Sequence, residues 1–270
     1  LEVAARWIAV RRVALKLIAT PTRRRWTWPS AAHRRQWLGM QRLFAGGLAL
    51  VAMKETRPHA LAFGQGAVED LRQAAADLGT YHRPWVTLGG VYEQLGFAHR
   101  RDAGEPEARR QFLRAAQSWG EAYRLLRQNP GRSPGDGPPD ELDDDLELLR
   151  IRRLKCLLLT GDTRRHDEAR AELSERPPTC AEPRTLFSAA CLYARAGAVL
   201  DASYLAAAWQ MLGRALLATP DDLIWQNALD DPELEPLTDR HRFVDHLGPY
   251  RLATDRPDPD DLIAAALARR

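Results

Sequence analysis

Trp85-Val86-Thr87-Leu88-Gly89-Gly90-Val91-Tyr92, followed by Ala108-Arg109-Arg110-Gln111-Phe112-Leu113-Arg114-Ala115, is the stretch on which the fold turns. Trp85, Leu88, Gly89 and Tyr92 share one face of a helix, and Ala108, Phe112 and Ala115 share one face of a second. Small residues at Gly89, Ala108 and Ala115 let two backbones approach, while the large side chains fill the space between them. A short amphipathic hairpin hides its apolar faces only against itself and its neighbours. Its recurrence therefore predicts a stacked array.

The phrase recurs. A second copy reads Ile151, Leu154, Lys155 and Leu158, then Ala169 and Leu173, with Arg176 where another small residue is expected. A third reads Leu186, Ala189, Ala190 and Tyr193, then Ala208, Leu212 and Ala215, stopped by Pro220. A weaker echo places Trp37, Leu38 and Gly39 before Ala67, Leu71 and Ala74. The extra residues between paired faces read as insertions.

Over roughly 84–220 these residues resemble the tetratricopeptide repeat: large, apolar, small and aromatic positions on one helix, Ala, bulky apolar and Ala on the next, and a closing proline. The tail Asp230-Asp231-Pro232-Glu233-Leu234-Glu235-Pro236-Leu237, through Arg242-Phe243, is similar to a segment that follows bacterial arrays of this family. The resemblance implies an all-α, right-handed solenoid of antiparallel helix pairs, closed by Leu234, Leu237 and Phe243. It also implies a concave groove that holds a peptide or protein segment. Arg83, Glu93, Gln94, Arg152, Arg184 and Arg195 are the groove candidates. Guanidinium groups bind carboxylates through paired hydrogen bonds, so the expected partner is an acidic segment or a C-terminal carboxylate.

Periodicity predicts helices over 2–19, 31–55, 65–79, 84–98, 106–128, 141–160, 165–175, 184–197, 202–218, 232–246 and 259–269. Gly79, Gly96, Gly161 and Gly197 follow apolar runs and read as left-handed helix ends. Asp231-Pro232 and Asp258-Pro259 read as capped starts, the proline sitting where a helix has no N–H to lose. The Pro- and Gly-rich stretch Asn129–Asp145 is the one low-complexity connection. It is either a boundary between halves or a long loop inside one array, and the repeat pattern on both sides favours the loop. The expected division is a basic helical segment at 1–60, repeats at 61–220 with a flexible loop at 129–140, and acidic capping helices at 221–270.

The net charge of +3 hides a polarised chain, basic at its start and acidic toward its end. The three cysteines have neither disulfide nor zinc-ligand spacing, which suits a reducing compartment. His241 and His246 are five apart, not the three or four that share a helix face, and Asp258, Asp260 and Asp261 lack the glycine and distal glutamate of a calcium loop. Gly64-x-Gly66 has no preceding strand, and no nucleophile–base arrangement emerges. The expectation is a non-catalytic protein–protein interaction module without cofactor or metal, the scaffold or sensor part of a larger bacterial protein. It would be cytoplasmic, tethered to the inner face of a membrane if a segment upstream provides an anchor. The alternative is a membrane-proximal regulatory region whose residues 1–28 meet anionic lipid. A lesser one is nucleic-acid binding through Trp7, Trp26, Trp28 and Trp37 with their arginines.

Overall fold

The computed structural model describes residues 31–55, 60–102, 104–129, 139–219, 222–251 and 253–269. The helix predicted over 2–19 and the basic cluster Arg23–Arg25 lie outside them, as does most of the predicted flexible loop. Among the described residues the chain is all-helical, with eleven α-helices and no strand. It divides into two compact units, Leu1–Pro134 and Gly135–Arg270, and the division falls inside the Pro/Gly-rich stretch.

In the first unit, α1 (Ala31–Glu55) packs on α2 (Ala60–Leu78), α2 on α3 (Arg83–Asp102), and α3 on α4 (Glu105–Gln128), while α3 also meets α1. The elements are thus two successive hairpins in contact. Glycine sets their depth. A Cβ on Gly39 would lie 2.7 Å from Leu78 and one on Gly46 2.4 Å from Leu71. In the second hairpin a Cβ on Gly89 would lie 2.7 Å from the Trp119 ring, and one on Gly96 2.5 Å from Phe112. In both hairpins the two glycines are seven residues apart and so are their large partners, in opposite chain order. Seven residues is two helical turns, so each hairpin is clamped at two levels along one seam. Gly90 faces the other way, toward Leu50 of α1, and joins the hairpins.

This geometry corrects one reading. Gly79 and Gly161 are left-handed helix ends, at φ 58° and 67°, but Gly96 and Gly197 lie inside helices. Their missing side chains make room for Phe112 and Leu205. The residues read as insertions after them lengthen helices instead: α3 runs on to Asp102, and α7 passes Gly197 to Val199.

The second unit begins with α5 (Pro139–Leu159), α6 (Thr163–Glu175), α7 (Pro183–Val199) and α8 (Tyr204–Ala218). α5 pairs with α6 and with α7, and α7 pairs with α8. The pattern residues Ile151, Leu154, Leu158, Ala169, Leu173, Leu186, Ala189, Ala190, Ala208, Leu212 and Ala215 are all buried. Asp162 caps α6 through the N–H groups of Arg164 and Arg165, and Glu182 caps α7 through that of Thr185.

After α8 come α9 (Asp222–Asp230), a 3-10 turn at Pro232–Leu234, α10 (Arg240–Leu247), a 3-10 turn at Gly248–Tyr250 and α11 (Pro259–Ala268); the three helices pack on α8, the first turn on α7 and the second on α10. Leu234, Leu237 and Phe243 are buried, as the tail's pattern leads one to expect, and the Phe243 and Trp209 rings lie 4.6 Å apart. The single helix predicted over 232–246 is instead a 3-10 turn, a bend after Pro236 and α10, since that proline cannot continue a hydrogen-bonded helix. α9 was not foreseen, although its Trp225 and Ala228 are buried.

Candidate functional site

The six groove candidates divide between the units. In the first, Arg83 is exposed at the start of α3, Gln94 is half-buried, and Glu93 is buried and already engaged within the protein. In the second, Arg152 on α5 and Arg195 on α7 are half-buried and engaged, and Arg184 is exposed at the start of α7. Two of these, Arg152 and Arg184, stand on helices that pack together, α5 and α7. Desolvation and then the nearby Arg152 guanidinium push the pKa of Arg184 below the ordinary arginine value, which Glu182 and Asp145 partly counter.

The surroundings are acidic. Asp144 is held above the usual aspartate range, first by burial and then by Glu182, Asp143, Asp145 and Glu147. Burial, Glu147 and Asp144 also push the Cys180 thiol up to about 11, so at neutral pH it stays protonated and unreactive. Glu182 and Asp145 thus lie within electrostatic reach of both Arg184 and Asp144, so this part of the surface carries charge of both signs.

Glu147 also belongs to an ion-pair network, buried at its centre and partly exposed at its edge, whose contacts between helices no local pattern announced. Glu147 and Arg150 form a two-pronged pair at 2.6 and 2.9 Å, with side chains only 3% and 5% exposed. Arg150 also donates to the Arg176 carbonyl at 2.9 Å, and Glu147 accepts from the Thr179 N–H at 3.3 Å. Arg153 of α5 reaches Glu168 and Glu172 of α6, the latter at 2.7 Å. These contacts tie α5 to α6 and to the residues that follow it, and Arg176, one departure from the repeat pattern, takes part through its carbonyl.

Lys155, the other departure from the pattern, is equally accounted for. Its ammonium donates to Glu233 Oε2 at 2.6 Å, with both residues buried. Glu233 lies in the 3-10 turn, whose N-cap Asp231 accepts the Glu233 N–H at 2.8 Å. The Cys191 sulfur and carboxylate oxygens of Asp231 and Glu233 lie within 4.8 Å of one another, a spacing that suits metal ligands. Here, however, the positive charge opposite the carboxylates comes from Lys155. A divalent cation would have to displace an ammonium already held at hydrogen-bond distance, so the cluster reads as a latch between α5 and the tail.

Across the described residues no helix is long and apolar enough to cross a membrane. No protein-family model, curated protein or solved structure matches this chain.

Proposed function

We propose that the protein is a helical-repeat interaction module of the tetratricopeptide type that binds a peptide or protein segment, with Arg152 and Arg184 taking a carboxylate of that partner. The reading draws on successive antiparallel hairpins with small-against-large seams, the arrangement from which this family builds its grooves. The single observation that carries the site is that Arg152 and Arg184 stand on two helices that pack together, α5 and α7, near enough for the Arg152 charge to add to desolvation in lowering the pKa of Arg184. An anion placed between them relieves their repulsion and gains two charge-assisted hydrogen-bonding partners. The carboxylates around them act as a filter, since a segment with several negative charges meets Asp143, Asp144 and Asp145 as it docks. The preferred ligand thus carries one well-placed carboxylate, at its C-terminus or on one side chain, in an otherwise neutral or basic segment.

The test is fluorescence polarisation with labelled decapeptides that differ in the number and position of carboxylates. Arg152→Glu with Arg184→Glu should weaken a binding peptide about tenfold or more, because two cations that attract the carboxylate become two anions that repel it. Arg83→Glu, in the other unit, is the comparison. Binding that is indifferent to the reversal at 152 and 184 would remove the site.

A further inference from the structure

Two helices of the second unit carry basic residues in line, and the tail turn rests on both lines. On α7, Arg184, Ser188, Cys191 and Arg195 are spaced four, three and four, so they follow one another along one face. On α5, Arg152 and Lys155 are three apart and likewise share a face. Glu233 joins the two faces. Its carboxylate takes the Lys155 ammonium at 2.6 Å, and a carboxylate oxygen lies within 4.8 Å of the Cys191 sulfur. The Pro232–Leu234 turn as a whole packs on α7. Lys155 thus stands level with Cys191, while Arg152, one turn earlier on α5, is felt at Arg184, two turns earlier on α7. The two helices run in the same direction here, and the turn rests on the faces that carry the groove candidates Arg152, Arg184 and Arg195.

The turn complements these faces in charge. Asp230, Asp231, Glu233 and Glu235 bring carboxylates without an intervening basic residue, against Arg152, Lys155, Arg184 and Arg195. It is also held by few anchors. Glu233 and Leu234 are buried while Pro232 and Glu235 on either side are exposed, so two side chains fix a segment whose outer edge is in water. Its backbone is satisfied from within: the N–H groups of Leu234, Glu235 and Leu237 donate to the carbonyls of Asp231, Pro232 and Leu234 at 3.1, 3.4 and 2.8 Å. A segment that keeps these bonds as it lifts has no ladder to unzip. Apolar cover for the end of the array comes from Leu237 and Phe243 further along. A buried ion pair adds little to such a cover over an apolar pair of the same volume, so the Lys155–Glu233 contact is suited to selecting what sits there.

We infer that residues 231–234 are a built-in occupant of the groove, with Lys155 a second carboxylate seat that Glu233 fills until a partner's segment displaces it. The inference rests on the peptide site proposed at Arg152 and Arg184 and extends it by about one helical turn, roughly 5 Å. The displacing partner carries an aspartate or glutamate followed by a large apolar residue, in the places of Glu233 and Leu234, besides the carboxylate that meets the two arginines. Its second carboxylate falls on the side of Arg152 away from Asp143, Asp144 and Asp145, where the acidic start of α5 does not oppose it. The seat selects for charge, because a buried ammonium left without a carboxylate keeps its desolvation penalty. The turn therefore leaves as a replacement arrives. A ligand that lacks the acidic–apolar pair binds at the arginines and leaves the tail shut.

The experiment uses the full chain and a labelled peptide of residues 229–238, which carries the turn's own sequence. Glu233→Gln removes the charge and keeps the shape, so circular dichroism should be unchanged while hydrogen exchange over residues 231–237 speeds up about tenfold or more. The peptide should then bind the variant at least about tenfold more tightly than the parent, whose seat is filled from within its own chain at an effective concentration on the order of millimolar. Leu234→Ala, which loosens the other anchor and leaves the charge, should give a gain of the same sign. Adding Lys155→Met to the first variant, or Glu233→Gln to the peptide, should abolish the gain. Exchange that stays slow in both variants would mean a fixed cap and overturn the inference. So would an opened turn with no gain in binding, or a gain that survives Lys155→Met. The two sites fail separately. Decapeptides that ignore Arg152→Glu with Arg184→Glu, beside a tail peptide that needs Lys155, remove the first site and leave the seat; the reverse pattern leaves the first site and removes the seat.

Discussion

Replacing Lys155 with methionine tests whether the tail is latched by charge or merely packed. Methionine fills nearly the same volume, so the Lys155→Met chain loses its ammonium without opening a large cavity, and Glu233 is left buried opposite an apolar group. The two side chains are 5% and 7% exposed, so solvent screens little of their 2.6 Å interaction. Breaking a pair this buried from one side costs about 3–5 kcal/mol, because the remaining charge keeps its desolvation penalty and loses its compensation. With a urea m-value of about 2 kcal/mol/M, the midpoint for the second unit should fall by roughly 2 M. Circular dichroism follows the transition. Hydrogen exchange on α5 and on residues 232–237 shows where protection is lost, and both segments should open together. The double variant Lys155→Met with Glu233→Met removes both charges and should return to within about 1–2 kcal/mol of the parent, since a buried ion pair and a well-packed apolar pair of similar volume are nearly equivalent. A single variant that costs less than about 1 kcal/mol, or a double variant as damaged as the single, would refute the reasoning.

Two further predictions concern packing and reactivity. Gly89→Ala places a methyl 2.7 Å from the Trp119 ring and should destabilise the first unit by about 1–2 kcal/mol, overpacking outweighing the helix propensity gained. Gly47→Ala meets nothing within 4 Å and should stabilise by about 0.5–1 kcal/mol, so equal signs in thermal unfolding of the two variants would count against the seam. Cys180 should alkylate slowly at neutral pH. Its thiol lies near 11, so the thiolate fraction, and with it the iodoacetamide rate, should climb about tenfold per pH unit through pH 10; a plateau near the ordinary thiol value would contradict the burial and the carboxylates around it.

Much of the helical plan was legible because apolar periodicity is a local signal that needs no knowledge of partners. The hairpins carrying Trp85 to Ala115, Ile151 to Leu173 and Leu186 to Ala215 occupy the residues their pattern names, and the weaker echo at Trp37 to Ala74 is a hairpin too. What failed to read locally was whatever depends on a second helix. A glycine after an apolar run looks the same whether it ends a helix or admits a neighbour's ring, and only Phe112, sixteen residues on, distinguishes the two at Gly96. α9 escaped because Pro220 reads as a terminator and a nine-residue helix offers barely two turns of pattern. Lys155 looked like a flaw in the repeat until Glu233, 78 residues later, supplied its partner. The candidate groove residues were harder still. Exposure and charge are properties of assembled surfaces, which is why Glu93 lies inside while the Arg152 charge is felt at Arg184.

The paired seams of α1 with α2 and of α3 with α4 also constrain how the sequence can drift. Residues 39 and 78, 46 and 71, 89 and 119, and 96 and 112 each share one fixed volume, so a methyl added on one side must be surrendered on the other. In a lineage of such chains these positions would change in couples, with alanine at 96 accompanied by leucine or valine at 112. The sites would be nearly invariant when viewed singly and interchangeable when viewed as couples. Ancestral reconstruction would find the smaller partner preceding each loss of glycine, since the reverse order passes through a clash.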